Sequence, residues 1–319
     1  MNAPLRAPAP GRVCPLDYRY GPAVFARPAE LAAPALYVAG GVYGNLPALE
    51  AAEAMARAEP GAVLVINGDV HWFDAEPAWF VAIETLARRH PAIRGNVETE
   101  LARGVDPDTG CGCSYPASVD EGAVARSNAI IGLLARAAES AAGARGRFAA
   151  LPMHLVVRVG EARVAIVHGD AEALAGWRFD RASLDDPRAR SWLERVRNES
   201  GVDVFASTHT CAPVMRLFDL PSGRMVIANN GATGMPNGTG AGVGIVTRIG
   251  IAPAPAKPYY GARVAGAHVD ALPLPYDHAA FLSKFDRQWP EGLPAARSYR
   301  GLIVGGSGMD IAVAAPPGN

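Results

Sequence analysis

The sequence predicts an α/β sandwich, with mixed sheets in the middle and helices outside. Three observations carry that expectation. In the first half, short apolar runs alternate with helix-like stretches, and in the second half β-branched runs face one another across tight turns. Polar residues able to bind a ligand fall just past the ends of several apolar runs.

Taken in order, residues 1–34 are rich in Ala and Pro, lack periodicity, and read as an N-terminal extension ordered only by docking. "ALYVAG" (35–40) reads as a buried strand, 46–58 as an Ala-rich helix, "GAVLVINGD" (61–69) as a strand, and 77–90 as a helix with Pro in its first turn. "AIRGN" (92–96) is a short strand, 103–122 a Gly/Asp/Pro/Cys loop near the site, and 123–139 a helix. "HLVVRVGEARVAIVHGD" (154–170) is a hairpin signal, followed by a helix over roughly 186–199 and a strand at 202–208. A second hairpin turns at Pro221-Ser222-Gly223, and 242–251 is a further strand. One domain over 35–302 with a C-terminal tail at 303–319 accounts for the whole.

Composition narrows the function. Half of the 319 residues are hydrophobic, 19% are charged, and the formal net charge of −1 gives no electrostatic reason to expect nucleic acid or an anionic membrane as partner. The start has no apolar core of a signal peptide, and no run approaches the roughly eighteen apolar residues of a membrane span. Four cysteines (Cys14, Cys111, Cys113, Cys211) then suggest reduced thiols in a cytoplasm. The expectation is a cytoplasmic protein acting on a small molecule, a phosphorylated one among the candidates, with its oligomeric state open.

The informative polar residues sit at strand ends. Asp69 follows "VLVING", Asn96 follows "AIRG", His168 follows "VAIV" and His209 follows "VFAST". In open α/β sheets the carboxyl edge of the strands is where ligands bind. A carboxylate, an amide oxygen and two imidazoles meeting there suit Mn, Fe or Zn. Singly, each also reads as a turn former, a helix cap or a structural histidine.

These segments resemble the calcineurin-like metallophosphoesterase superfamily, especially its small bacterial phosphodiesterase branch. "GGVYGNLPALE" (40–50), "NGDVHWFD" (67–74), "RGNVE" (94–98), "VHGD" (167–170), "STHTCAP" (207–213) and "NNGATGMPN" (229–237) follow its motifs in order. The resemblance implies a four-layer α/β/β/α sandwich with mixed sheets. It also implies a two-metal centre, from which this chain departs. The positions private to the first metal hold Gly41, Tyr43 and Cys211, whereas the second metal's set, Asp69, Asn96, His168 and His209, is intact. The family's usual proton donor is replaced by Val97.

A degenerate first site beside a complete second one predicts one divalent metal per chain, with Cys211 an additional candidate ligand. Tyr43 reads either as a proton donor, hydrogen-bond donor or phenolate ligand, or as an aromatic filling vacated space. His71 reads as a replacement acid or base, or as a solvated turn residue. Cys111 and Cys113 form a Cys-x-Cys pair that is either a thiolate metal site with Cys211 or a pair of reduced loop thiols, and their loop is a candidate lid. No Walker loop, nucleophile elbow or dinucleotide fingerprint is present. The sequence thus points to a metal-dependent hydrolase whose metal-activated water attacks a phosphoester or related polar ester. Its alternatives are a non-hydrolytic ligand-binding or regulatory protein, and a reassigned metal enzyme with different chemistry.

Overall fold

The computed structural model describes residues 9–317. Among them twelve strands and nine α-helices alternate as β1 (Leu31–Ala32), β2 (Ala35–Ala39), α1 (Leu46–Arg57), β3 (Val63–Asn67), α2 (Pro77–Ala87), β4 (Ala92–Ile93), α3 (Asn96–Arg103), α4 (Glu121–Ala138) and α5 (Ala144–Ala150). The second half follows with β5 (His154–Val159), β6 (Ala162–Val167), α6 (Arg181–Asp185), α7 (Ala189–Ser200), β7 (Val204–Ser207), β8 (Pro213–Leu220), β9 (Gly223–Asn230), β10 (Val243–Gly250), β11 (Tyr260–Val264), β12 (Ala267–Pro275), α8 (His278–Gln288) and α9 (Pro294–Gly305).

The strands form two six-stranded mixed sheets, ordered β11-β12-β10-β2-β3-β4 and β1-β5-β6-β7-β9-β8. Alternation along the strands explains the layering, because successive side chains point to opposite faces. Leu36, Val38 and Val65 turn inward to meet Val164, Ile166 and Ala206 of the other sheet. Tyr37, Ala39, Leu64 and Ile66 turn outward, onto Leu49 and Ala52 of α1 and Phe80 and Ile83 of α2. On the far side Val156, Val167 and Phe205 pack with Leu193 and Val196 of α7. The result is the four-layer α/β/β/α sandwich with mixed sheets.

Several elements differ from the sequence reading. Residues 92–96 were expected as a strand, but pairing ends at Ile93 and the chain turns into α3 at Asn96. The physical reason is Glu98, whose carboxylate accepts from the Gly95 amide at 2.8 Å and so ties off the first turn of the helix. Helices α5 and α9 and strand β11 were not expected either, and α9 runs on to Gly305. Beyond it Ala314 is buried in the inter-sheet core, and Arg216 donates to the carbonyls of Val313, Ala314 and Ala315.

The described part of the N-terminal extension lies on the sandwich. β1 pairs with β5, Phe25 is fully buried against Phe205, and Tyr18 donates to Glu100 at 2.5 Å. Arg12 and Val13 hold the 103–122 loop, Arg12 donating to the carbonyls of Pro116 and Val119 and Val13 accepting from Ser114. Residues 1–8 and 318–319 lie outside the described residues. No helix among the described residues is long and apolar enough to cross a membrane.

Phe25→Ala tests how far this docking contributes. Truncating a fully buried Phe should cost roughly 3–5 kcal/mol in urea unfolding. A loss within about 0.5 kcal/mol, the range of ordinary surface substitutions, would refute it.

Candidate metal centre

The four strand-end residues converge, but from two sheets rather than along one edge. Asp69 lies just beyond β3 and Asn96 just beyond β4, which are parallel neighbours in one sheet. His168 directly follows β6 and His209 lies just beyond β7, parallel neighbours in the other. The crevice lies where the carboxyl ends of these two strand pairs meet.

Around His168 Nε2 stand Asn96 Oδ1 at 3.2 Å, His209 Nδ1 at 3.1 Å and Asp69 Oδ2 at 3.4 Å. The outward-facing nitrogens are all committed to carbonyls, and Asp69 Oδ1 accepts from the Val97 amide at 3.2 Å. His168 Nδ1 donates to Asn67 O at 3.0 Å, His209 Nε2 to Cys113 O at 3.0 Å, and Asn96 Nδ2 to Cys111 O at 2.9 Å. A carbonyl only accepts, so the outward nitrogens carry the protons. The inward atoms are therefore two imidazole lone pairs, an amide oxygen and a carboxylate oxygen, a set of acceptors with no donor of their own.

That arrangement fits a divalent cation. Ligand atoms bound to one ion at about 2.1 Å and roughly 90–110° apart are about 3.0–3.4 Å from one another, the spacing found between His168 Nε2 and each of the other three. Carbonyl partners on the far nitrogens are the usual orienting shell of metal-binding histidines. Asp69, His168 and His209 form the only cluster of three or more metal-capable His, Cys, Asp or Glu side chains among the described residues. Without a cation, Asp69 and His168 stabilise each other's charged forms across the centre. Burial lowers His168, but the Asp69 carboxylate outweighs it and raises the imidazole above its ordinary value. Burial raises Asp69, and the two histidines bring it below the usual carboxylate range. Burial, with His168 beside it, takes His209 down to about 3, so that ring stays neutral.

Backbone geometry holds Asp69 in place. It adopts φ +50°, and its turn is clamped by the buried Glu98 carboxylate, which accepts from the amides of Asp69 (2.8 Å), Val70 (2.9 Å) and Gly95 (2.8 Å). Gly95 cannot carry a side chain, because a Cβ there would lie 2.3 Å from Asp69 Oδ1 and 2.8 Å from His168 Cε1. The clamping role of Glu98 was missed in the sequence; its one signal is an acid at the third position of a helix that was itself not expected.

Gly41, Tyr43 and Cys211, the positions that the motifs set apart, lie close to one another. Gly41 has φ +63°, and a Cβ there would meet the Tyr43 ring at 2.9 Å. The Tyr43 hydroxyl lies 2.9 Å from Cys211 Sγ, and both residues line the cavity over the centre. Burial holds the Tyr43 phenol well above its usual value. The Cys211 thiol is pushed up to about 11 by the protein around it, although the residue opens to the cavity. Cys211 contacts Tyr43 and the His209 carbonyl and stands outside the Asp69–His168–His209 cluster.

Two expectations need correction. His71 is neither a solvated turn residue nor part of the cavity wall. It is fully buried, with Nδ1 2.6 Å from Asp74 and Nε2 3.3 Å from Glu84, stacked on Phe80 at 3.8 Å. The apolar residues after it and the arrival of α2 draw it into the core. Cys111 and Cys113 are buried and serve the centre through their carbonyls, with Cys211 bonded elsewhere rather than completing a three-thiol group.

The cavity measures about 380 Å³, within the range of small-molecule sites. Asp69, Asn96 and His209 form its floor; Trp72, Tyr115, Trp177 and Tyr299 are among its walls; and Arg126 of α4 and Arg297 of α9 line it too. The 103–122 loop supplies Cys113, Tyr115, Val119 and Asp120 to the same cavity.

No family model matches the chain, and no curated protein matches it. Solved structures do match in fold. A hypothetical protein from Pyrococcus horikoshii aligns at 18% identity over 86% of this chain and 99% of its own, with a TM-score of 0.55. A metallophosphoesterase from Sphaerobacter thermophilus aligns at 19% identity over 82% of this chain and 97% of its own, with a TM-score of 0.49. The four-layer α/β/β/α sandwich that the motifs implied is the fold of this chain.

Glu98→Gln tests the clamp. An amide cannot accept all three N–H bonds, so at least one buried donor loses its partner, at a cost of about 1–3 kcal/mol. An unchanged urea midpoint would show that the turn holds itself.

Proposed function

We propose that the chain is a metal-dependent hydrolase of the metallophosphoesterase type, with a mononuclear centre acting on a phosphoester or related polar ester. The observation that carries this reading is the convergence of four acceptor atoms, three of them on side chains whose N–H groups are directed outward to carbonyls. Asp69, Asn96, His168 and His209 would hold Mn, Fe or Zn. Such an ion, when bound, acidifies water and polarises a substrate oxygen.

The other roles belong to this chain's own residues. The carbonyls of Asn67 and Cys113 keep both imidazoles in the tautomer that presents a lone pair inward. Tyr43 is protonated at neutral pH, because burial raises its phenol, and its hydroxyl reaches the cavity. Its present partner, the Cys211 sulfur, is a weak acceptor, so the proton is readily turned toward a substrate oxygen. Tyr43 thereby takes the proton-donating task that Val97 cannot perform. The single-ion reading is supported by the Tyr43 ring, which covers Gly41 where a ligand side chain would have to stand.

A second reading, a reassigned metal enzyme, is favoured by the same 2.9 Å contact of Tyr43 with Cys211 beside the centre. Elemental analysis of protein purified without added metal separates the two when combined with assays on aryl phosphomonoesters and diesters. About one divalent ion per chain is expected, lost in His168→Ala and His209→Ala together with hydrolysis. Two ions per chain would refute the mononuclear centre. Tight metal with no ester hydrolysis would favour the reassigned enzyme, and no metal at all would leave a non-hydrolytic binding protein.

Tyr43→Phe isolates the proton donor. It should lower kcat by on the order of 100-fold or more while metal content stays unchanged. A kcat within twofold of the parent would reduce Tyr43 to a space filler.

A further inference from the structure

The two arginines at the cavity have no role in the chemistry above. Arg126 is half-buried on α4, and its Nε donates to Ser298 Oγ on α9 at 2.6 Å. Ser298 directly follows Arg297, so this bond holds the Arg126 side chain against the stretch of α9 that carries the second arginine. Arg297 is exposed, and neither arginine forms an ion pair among the described residues, where thirteen other arginines do. Asp120 lines the same cavity; its carboxylate accepts from the Ala123 amide at 3.0 Å and caps α4, and it stands across Gly122 from the Arg126 guanidinium without pairing with it. Asp69 is paired with His168 and makes no ion pair with either arginine. Beside the acceptor cluster the cavity therefore has two guanidinium groups on packed helices, neither of them in an ion pair among the described residues.

A continuous aromatic wall joins the cluster to these guanidinium groups. The Trp177 ring lies 5.3 Å from that of His209 and 6.0 Å from that of Tyr115. Tyr115 in turn meets the hydroxyl of Ser127, the neighbour of Arg126, at 3.0 Å. Trp177 is fixed in this wall because its Nε1 donates to Cys113 O at 3.0 Å, the same carbonyl that orients His209. Flat side chains favour a flat ligand, and guanidinium groups without a carboxylate partner favour an oxyanion bound through paired N–H donors.

We propose that Arg126 and Arg297 are specificity residues for a doubly anionic substrate: an ester at the metal centre, a planar ring along Trp177 and Tyr115, and a second oxyanion, carboxylate or phosphate, held by the arginine pair. This rests on the reading of the centre as a metal site for the ester end.

Binding of matched probes to the metal-loaded full chain tests it independently of turnover. Phenylphosphonate and 4-carboxyphenylphosphonate differ only in the distal anion, and Trp72 and Trp177 in the cavity supply a fluorescence signal. The carboxylated probe should bind at least tenfold more tightly. Arg126→Ala with Arg297→Ala should bring that preference to about one, with metal content unchanged, and Arg→Lys at both positions should restore part of it. Equal binding of the two probes by the parent protein would overturn the proposal. So would a double variant that weakens both probes equally, because the arginines would then be acting on the ester end. Discriminating binding without hydrolysis of any ester would leave this inference standing and remove the hydrolase reading.

Discussion

The bond from His168 Nδ1 to the Asn67 carbonyl is the constraint on which the rest of the centre depends. His168 follows β6 and Asn67 ends β3, so a 3.0 Å hydrogen bond fastens one sheet to the other at the edge where the crevice opens. Asn67 adds a second link, donating from Nδ2 to the carbonyl of Ala206 on β7 at 3.3 Å. The same bond decides the chemistry, because it places the imidazole proton outward and leaves Nε2 facing Asn96, Asp69 and His209. His168 is completely buried, and a buried polar group without partners is costly. Sheet packing and the inward lone pair are thus two consequences of one hydrogen bond.

Asp69 supplies the charge that makes this tolerable, and Glu98 supplies Asp69. A non-glycine residue at φ +50° costs on the order of 1–3 kcal/mol and persists only where its surroundings over-determine it. Three amide hydrogen bonds to one buried carboxylate provide that over-determination, spanning the turns after both β3 and β4. The two carboxylates work against each other, since burial and Asp69 both raise Glu98. A cation bound at the centre would relieve part of that repulsion and so couple the stability of the turn to occupancy of the site.

Much of this was legible in the sequence, and the parts that were not share a physical cause. Asp69, Asn96, His168 and His209 each follow a run apolar enough to be a buried strand, so their placement at strand ends needs only local pattern. The layering was legible for the same reason, from strands alternating with helices in the first half and the hairpins β5–β6 and β8–β9 in the second. The orienting shell was not, because the carbonyls of Asn67, Cys111 and Cys113 belong to the backbone and any residue could supply them. The Cys-x-Cys pair drew attention to its thiols, whereas its contribution is two carbonyls. His71 misled because its partners Asp74, Phe80 and Glu84 are brought over it by the fold of α2, so a position that reads as a polar turn becomes core.

The turn through Gly41 and Tyr43 bears on whether the cavity is a relic. Gly41 and Tyr43 are mutually dependent: the ring lies so close to Gly41 that any side chain there would collide with it, and both residues adopt left-handed backbone conformations. Cys211, which meets the Tyr43 hydroxyl from a different strand end, has φ +56° as well. Three non-glycine residues lining one cavity, Tyr43, Asp69 and Cys211, therefore carry backbone strain. Strain of that kind is released by almost any substitution that lets a turn relax, so loss of function would be expected to disperse it. Its concentration around the centre, together with the matched Gly41–Tyr43 pair, argues that the phenol and thiol beside the acceptor cluster are a built part of the cavity.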